Sequence, residues 1–593
     1  MKGISFFMIK SILNNLKFIY RDFLWRKERV TNNHETAKKF YDDHYQSWPI
    51  NSKLILYEMQ DGKELDDSPF AILREWISLD QQMEHVIVVR ETAIDKVNRV
   101  LEYWGLQKHE SIHVLIYESY EHLKQLLCAK YIITNAMIFS DIFVKRPGQI
   151  FINTWHGTPL KRMGYAMPGG VMGSWNVIRN LLMTNYLVLP NDYTAGIFKK
   201  DYRLENLYSG SILLQGYPRN DILVNGLPQK QSQELKVDLD LNSRKRLILY
   251  APTWSGDATI IQDSEQEINR YLSILDSLSQ ISDTITIFKP HPYFEATVNS
   301  DKRFKAYNIP NKFGTNVILS EVDMLITDYS SLFFDYLVTG KPIIFFDAKE
   351  NYQEERGTYI DVNELPGPYT KKMEELVELV KSESVWRNQY TDRYETFRKK
   401  FVSQDDGMAT QRVINTIQKS SDDTAFVGET VLVNGEDFSE KNFSESNREL
   451  VQRIATSYDV SLAIFEAHVL DYWYGYQFFN NIDNVMASTR VFVNKNATTK
   501  KLNQSSALIN GSRITGGQQF GILVIPQKHF SIHQKEITTT AKTIIMVKNP
   551  TRELWLSKIG FVRYLENNDF EIWAKGSYRD VHFAKNIMKM LEK

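Results

Sequence analysis

A single cysteine, Cys128, stands in a chain of 593 residues. Neither a disulfide framework nor a cysteine zinc site can be built from it, which fits a reducing compartment. No stretch approaches the ~20 apolar residues that span a bilayer. Lys and Arg number 71 against 72 Asp and Glu, a formal net charge of −1, so no overall basic field argues for nucleic acid. Walker loops, G-x-G-x-x-G and H-E-x-x-H are all missing, which removes the commonest phosphate-binding signatures and one familiar type of metal site. Asp323, Asp328 and Asp335 have the spacing of a strand-to-helix turn and not of a calcium loop.

The chain is too long for one hydrophobic core. Residues 1–30 carry seven Lys/Arg and two Asp/Glu, with Ile9, Ile12, Leu13, Leu16, Ile19 and Phe23 at helical spacing. This pattern is that of a basic amphipathic helix lying on an anionic membrane surface; packing on the protein's own body is the alternative. Over 31–225 apolar strand-like runs alternate with helical patterns: LILYEMQ, HVIVV, IHVLIY, YIITNA, QIFINTWH and YLVLPN. Ser68 and Pro69 are placed to cap and open a helix over 68–79. The alternation restarts over 226–422 with LILYAPTW, TITIFKPHP, NVILS, DMLITDYSS and PIIFFD. The expected fold class is therefore α/β, two doubly wound Rossmann-like domains in tandem. Beyond a linker, KSSDDTAFVG (419–428), residues 430–593 read as a further α+β domain, with strands near 489–493, 520–526 and 542–547 and helices near 446–457 and 579–592.

Four strand ends run straight into polar residues unsuited to a core: NTWHGTPLKR, YAPTWSGD, FKPHPYF and ITDYSSLFFDY. If the strands are parallel, all four face one cleft. Ser330 and Ser331 stand where a helix begins, a place suited to an anion. Lys289 and His291 are two apart on a proline-held segment, so both side chains fall on one side. A cation and an imidazole there can offset a pyrophosphate or protonate a departing phosphate. Arg219, in GYPRND, offers a planar fork. His156 could take a proton from an alcohol, Gly157 permits close approach of a ligand, and Lys161 and Arg162 add positive charge. A lone histidine after a strand is commonly structural; a second histidine and two seryl hydroxyls at equivalent strand ends argue for a site.

Taken together, NTWHGTPLKRMG, GYPRND, YAPTW, FKPHP, TDYSSLFFDYLVTGKPIIFF and QDDGMA (404–409) resemble the CDP-glycerol glycerophosphotransferase family of teichoic acid primases and polymerases, over about residues 50–420. The resemblance implies a glycosyltransferase-B-type fold, no cofactor and no metal, and peripheral association with the cytoplasmic face of the membrane. It implies transfer of a polyol phosphate from a CDP-polyol donor to a hydroxyl of a lipid-linked acceptor, with release of CMP. Carried over by motif, His156 is the base and His291 contacts the donor pyrophosphate. Ser330 and Ser331 hold phosphate oxygens, Arg219 and Lys289 give cationic support, and Gly157, Thr253, Thr327 and Asp328 complete the substrate-binding set. A nucleotide-sugar glycosyltransferase on the same fold, or an inactive scaffold, are the alternatives. Residues 430–593 lie outside the resemblance; they could bind the polymer, a partner enzyme or a second copy of the chain, and their aromatic run DYWYGYQFF (471–479) reads as packing or as a polyol platform.

Overall fold

The computed structural model describes residues 34–419, apart from short stretches at 139–141, 168–169, 203, 206–207, 242–244, 254–264, 292–293 and 348–356, together with seven strands beyond them. The expected N-terminal amphipathic helix, the linker, the helices near 446–457 and 579–592 and the aromatic run at 471–479 all lie outside the described residues.

Two parallel sheets carry the part that is described in full. The first contains β1 (Asn51–Glu58), β2 (Glu84–Val89), β3 (Ile112–Ile116), β4 (Ala129–Thr134), β5 (Ile150–Asn153), β6 (Tyr186–Leu189) and β7 (Ser211–Leu214), in the order β3-β2-β1-β4-β5-β6-β7. The second contains β8 (Arg246–Ala251), β9 (Thr284–Phe288), β10 (Met324–Thr327), β11 (Ile343–Phe346) and β12 (Tyr369–Thr370), in the order β12-β11-β10-β8-β9. Central strands such as β5, β10 and β11 are buried along their whole length, because helices cover both faces of a parallel sheet. Strand order reverses between β1 and β4 in the first sheet and between β8 and β10 in the second. Those reversals open crevices at the C-terminal strand ends.

Three expectations change. NVILS is not a strand but part of the helix Thr315–Glu321. A three-residue apolar run does not distinguish the two states, and the parallel strands β9 and β10 require a crossover that a helix supplies. The helix expected from Ser68 runs Asp67–Leu79, with Asp66 ahead of it and no side-chain cap. The Ser68 hydroxyl instead accepts the Arg219 N–H at 3.4 Å. The helix Ala409–Gln418, expected within the second unit, returns to the first: Val413, Ile414 and Ile417 pack in one core with Ile55, Ile87 and Ile133.

The third sheet holds β13 (Thr430–Asn434), β14 (Asp459–Ile464), β15 (Val485–Arg490), β16 (Phe520–Pro526), β17 (Ala541–Val547), β18 (Phe561–Glu566) and β19 (Phe570–Lys575), in the order β15-β14-β13-β16-β17-β19-β18. Its first five strands pair in parallel and β19 runs antiparallel to both neighbours. The order reverses between β13 and β16, and the sheet is mostly parallel, where the α+β reading of this segment specified no strand direction.

The first two sheets meet through a buried polar joint. Arg219 donates to Asp67 Oδ1 at 2.8 Å and to Asp335 at 2.9 Å, all three side chains being largely shielded. Asn220 bonds Asp335 at 3.3 Å and Asp405 at 3.2 Å, and also accepts from Asn316 at 2.7 Å. Asp405 further accepts the Tyr217 N–H at 2.8 Å. Asp66 accepts the Thr315 N–H at 2.8 Å across the same gap. Residues 160–162 pair with 357–359 through Tyr359 N–H to the Leu160 carbonyl at 2.8 Å and Arg162 N–H to the Gly357 carbonyl at 3.2 Å.

Two outcomes follow from this joint. Arg219→Ala strands two buried carboxylates and is expected to cost about 3–5 kcal/mol in denaturant unfolding. Burial, assisted by the charge of Asp335, pushes the Asp405 carboxyl up to about 7 from 3.8. The native chain thus holds this proton more tightly than the unfolded one. The associated stability is present below about pH 4 and is lost as pH rises through about 7. Asp405→Asn does not titrate, so thermal melts of this variant should show a flatter pH dependence across that window.

Candidate active site

A cleft of about 220 Å³ opens where the strand ends of the first two sheets face each other. From the first sheet it is lined by Gln60 after β1, Glu64, Asp66 and Asp67, Asn135 after β4, and His156 after β5. From the second come Thr253 after β8, Lys289 and His291 after β9, and Ser330, Ser331 and Asp335 after β10. Seven of the sequence-predicted residues therefore share one cavity: His156, Arg219, Thr253, Lys289, His291, Ser330 and Ser331.

His156 is presented by a turn that the sequence builds locally. Asn153, the last residue of β5, accepts the Trp155 N–H at 2.7 Å and donates to the Ala136 carbonyl at 2.7 Å. These bonds hold Trp155 in a left-handed backbone, φ 51°, a conformation costly for a bulky residue and frequent at functional sites. The Trp155 ring is stacked on the imidazole with centroids 4.3 Å apart, and is itself wedged edge-on against Phe198 at 4.9 Å. The His156 Nδ1 lies 2.7 Å from the Asn135 carbonyl oxygen. A carbonyl only accepts, so Nδ1 carries the proton and Nε2 is the basic nitrogen. The crowded walls around this cleft-facing ring hold its pKa below 6.5, against the opposing pull of the Asn135 carbonyl and Asp67. The ring is neutral at pH 7 and can accept a proton at Nε2.

The opposite wall is suited to an anion. The Lys289 ammonium makes no ion pair or side-chain hydrogen bond among the described residues, and His291 stands two residues on. Ser330 Oγ accepts the Leu332 N–H at 3.3 Å as the helix Leu332–Tyr336 begins. The two walls touch at Gly157: a Cβ there would lie 3.0 Å from Ser331 Oγ. The close approach that the glycine allows is thus made by the protein itself.

Several predicted residues are engaged by the protein itself. The Arg219 fork is occupied by Asp67 and Asp335, so its charge is spent in the joint. Thr327 is buried and donates to the Ala251 carbonyl at 2.7 Å. Asp328 accepts the Thr253 N–H at 2.7 Å, tying β10 to the loop after β8. Neither lines the cleft. Lys161 and Arg162 lie on the segment paired with 357–359 and are also outside the lining.

Asn135, Asp66 and Asp67 are lining residues that sequence reasoning missed. Asn135 donates to Asp67 Oδ2 at 2.8 Å, accepts the Gln60 N–H at 3.1 Å and holds His156 through its carbonyl. The available signal was its place directly after YIIT, the same strand-end position that marked His156. Burial raises the pKa of Asp66 and of Asp335, which lessens the negative charge they bring to the cleft, whereas the Arg219 cation and the Asn135 and Ser68 hydrogen bonds keep Asp67 ionised.

Comparison with known proteins agrees with this geometry. Residues 41–419 match the sequence profile of the CDP-Glycerol:Poly(glycerophosphate) glycerophosphotransferase family. A teichoic acid poly(glycerol phosphate) polymerase of Bacillus spizizenii is 27% identical over 382 residues, 62% of this chain and 93% of that one. A teichoic acid glycerol-phosphate transferase of Staphylococcus aureus is 29% identical over 387 residues, 62% of this chain and 94% of that one. The solved structure of the wall teichoic acid polymerase TagF superimposes with a TM-score of 0.56 at 26% identity, covering 70% of this chain and 98% of that one. A cleft between facing strand ends, the motif residues that line it and a family match across both sheets lead to one conclusion: the chain belongs to the CDP-glycerol:poly(glycerophosphate) glycerophosphotransferase family.

Proposed function

We propose that this chain moves a polyol phosphate, glycerol phosphate first among them, from a CDP-activated donor to a hydroxyl of a lipid-linked acceptor in teichoic-acid-like polymer synthesis. The observation that carries the reading is the division of the cleft. One wall holds a neutral imidazole whose tautomer is fixed by Asn135; the other holds Lys289, His291 and two seryl hydroxyls. The names of the two relatives above, both glycerol-phosphate enzymes, support the choice of donor.

In this mechanism His156 Nε2 takes the proton of the acceptor hydroxyl as its oxygen attacks the β-phosphorus of the donor. The bond to the bridging oxygen breaks and CMP leaves. Lys289 offsets the pyrophosphate charge, Ser330 and Ser331 hold phosphate oxygens, and His291 stabilises the departing CMP. Holding both substrates between two rigid sheets supplies the alignment that in-line displacement needs. Among the described residues no helix is long and apolar enough to cross a membrane. A lipid-linked acceptor then calls for attachment at the membrane's cytoplasmic face, a role that suits the basic pattern of residues 1–30.

The reading is tested by CMP release from purified full-length chain given CDP-glycerol or CDP-ribitol, a short lipid-linked acceptor and EDTA. Release with one donor, reduced about 10²–10⁴-fold in His156→Ala, is the expected outcome. Release from neither donor would favour a nucleotide-sugar donor or a scaffold. Because the crowded walls of the cleft favour the neutral imidazole, the acid limb of kcat/KM should lie below pH 6.5 and vanish in the alanine variant. Gly157→Ala, which presses a methyl group on Ser331, should lower kcat with little loss of stability.

A further inference from the structure

Gln60 follows β1 beside the crevice of the first sheet. It opens a run of three left-handed residues, Gln60, Asp61 and Gly62, with φ of 47°, 56° and 75°. That conformation is unfavourable for the first two and persists only where the surroundings impose it. Here they do so with three bonds. The Gln60 N–H donates to Asn135 Oδ1 at 3.1 Å, Arg90 Nε donates to the Asp61 carbonyl at 2.8 Å, and the Arg90 N–H donates to the Gly62 carbonyl at 2.7 Å.

The strained turn delivers a carboxamide to the cleft lining, and that carboxamide makes no hydrogen bond among the described residues. Its acidic neighbours on the same wall are engaged. Glu64 pairs with Lys96 at 3.5 Å, Asp66 accepts from Thr315 at 2.8 Å and Asp67 pairs with Arg219 at 2.8 Å. Gln60 thus offers this wall a neutral donor and acceptor together. Asn135 fixes where it stands: its side chain holds the Gln60 backbone and its carbonyl holds His156.

We infer that Gln60 is a specificity-determining residue for the acceptor, an inference that rests on His156 being the base. The carboxamide oxygen accepts from the hydroxyl next to the reacting one, and the NH₂ group donates to a neighbouring acceptor oxygen. A terminal vicinal diol is thereby held with its nucleophilic hydroxyl toward His156 Nε2. An amide suits this task better than a carboxylate, which would repel the phosphodiester chain behind that terminus.

Gln60→Leu keeps the side-chain volume and removes both polar atoms. It is expected to raise acceptor KM about ten-fold while donor KM stays within about two-fold and the acid limb of the pH profile does not move. Gln60→Glu should raise acceptor KM further. Gly62→Ala retains the carboxamide but puts a Cβ 3.1 Å from the Arg90 nitrogen in a left-handed backbone, which displaces the turn that aims it, so it should shift acceptor KM in the same direction. An unchanged acceptor KM in Gln60→Leu, or an equal rise in both KM values, overturns the inference. Wild-type chain that releases no CMP, or His156→Ala that still transfers, overturns the reaction or its base and the inference with it; a failure confined to Gln60→Leu leaves that reaction standing.

Discussion

Arg219 lies between two carboxylates supplied by different halves of the molecule, Asp67 beside the first sheet and Asp335 beside the second. A guanidinium suits this position because its planar fork can serve two acids at once in a space that excludes water. Both acids line the same cleft as the histidines, so the joint that sets the spacing of the two sheets is also part of the site's wall. The spacing of His156 from Lys289 and the two serines is therefore set by a buried ion network and by Gly157 against Ser331.

Around that joint the backbone is repeatedly held in left-handed conformations: at Gln60 and Asp61, at Asp67 and at Trp155. Each lies immediately after a strand or at the start of a helix facing the cleft. Each is also next to a hydrogen bond made by a neighbouring polar side chain, Asn135 for Gln60 and Asn153 for Trp155. Strain of this kind persists because the rest of the sheet is stable enough to impose it. It aims side chains that an ordinary strand-to-helix turn would point elsewhere.

Much of this was legible in the sequence. Strands buried on both faces read as apolar runs, so the two parallel sheets were visible, and polar residues placed directly after those runs marked His156, Lys289, His291, Ser330 and Ser331. What failed was what depends on partners. Arg219 looks like a free phosphate ligand until Asp67 and Asp335 are folded against it, and Thr327 and Asp328 share a motif with the serines yet turn inward to β8 and the loop behind it. Gly157 reads as room for a ligand, whereas in the structure it is Ser331 that comes close to it. NVILS is too short for its period to separate helix from strand. Strand direction leaves no trace in alternation, so the parallel order of β13 to β17 could not be read from residues 430–593.

The central claim is that the two walls divide the labour, donor anion on one and acceptor base on the other. Calorimetric titration of CDP-glycerol into wild type, His156→Ala and Lys289→Ala, without acceptor, tests it most directly. The account predicts that His156→Ala binds the donor within about two-fold of wild type while Lys289→Ala loses about ten-fold or more, since one charge-assisted contact to phosphate is worth about 1.5–3 kcal/mol. Loss of donor binding in His156→Ala together with full binding in Lys289→Ala would contradict it.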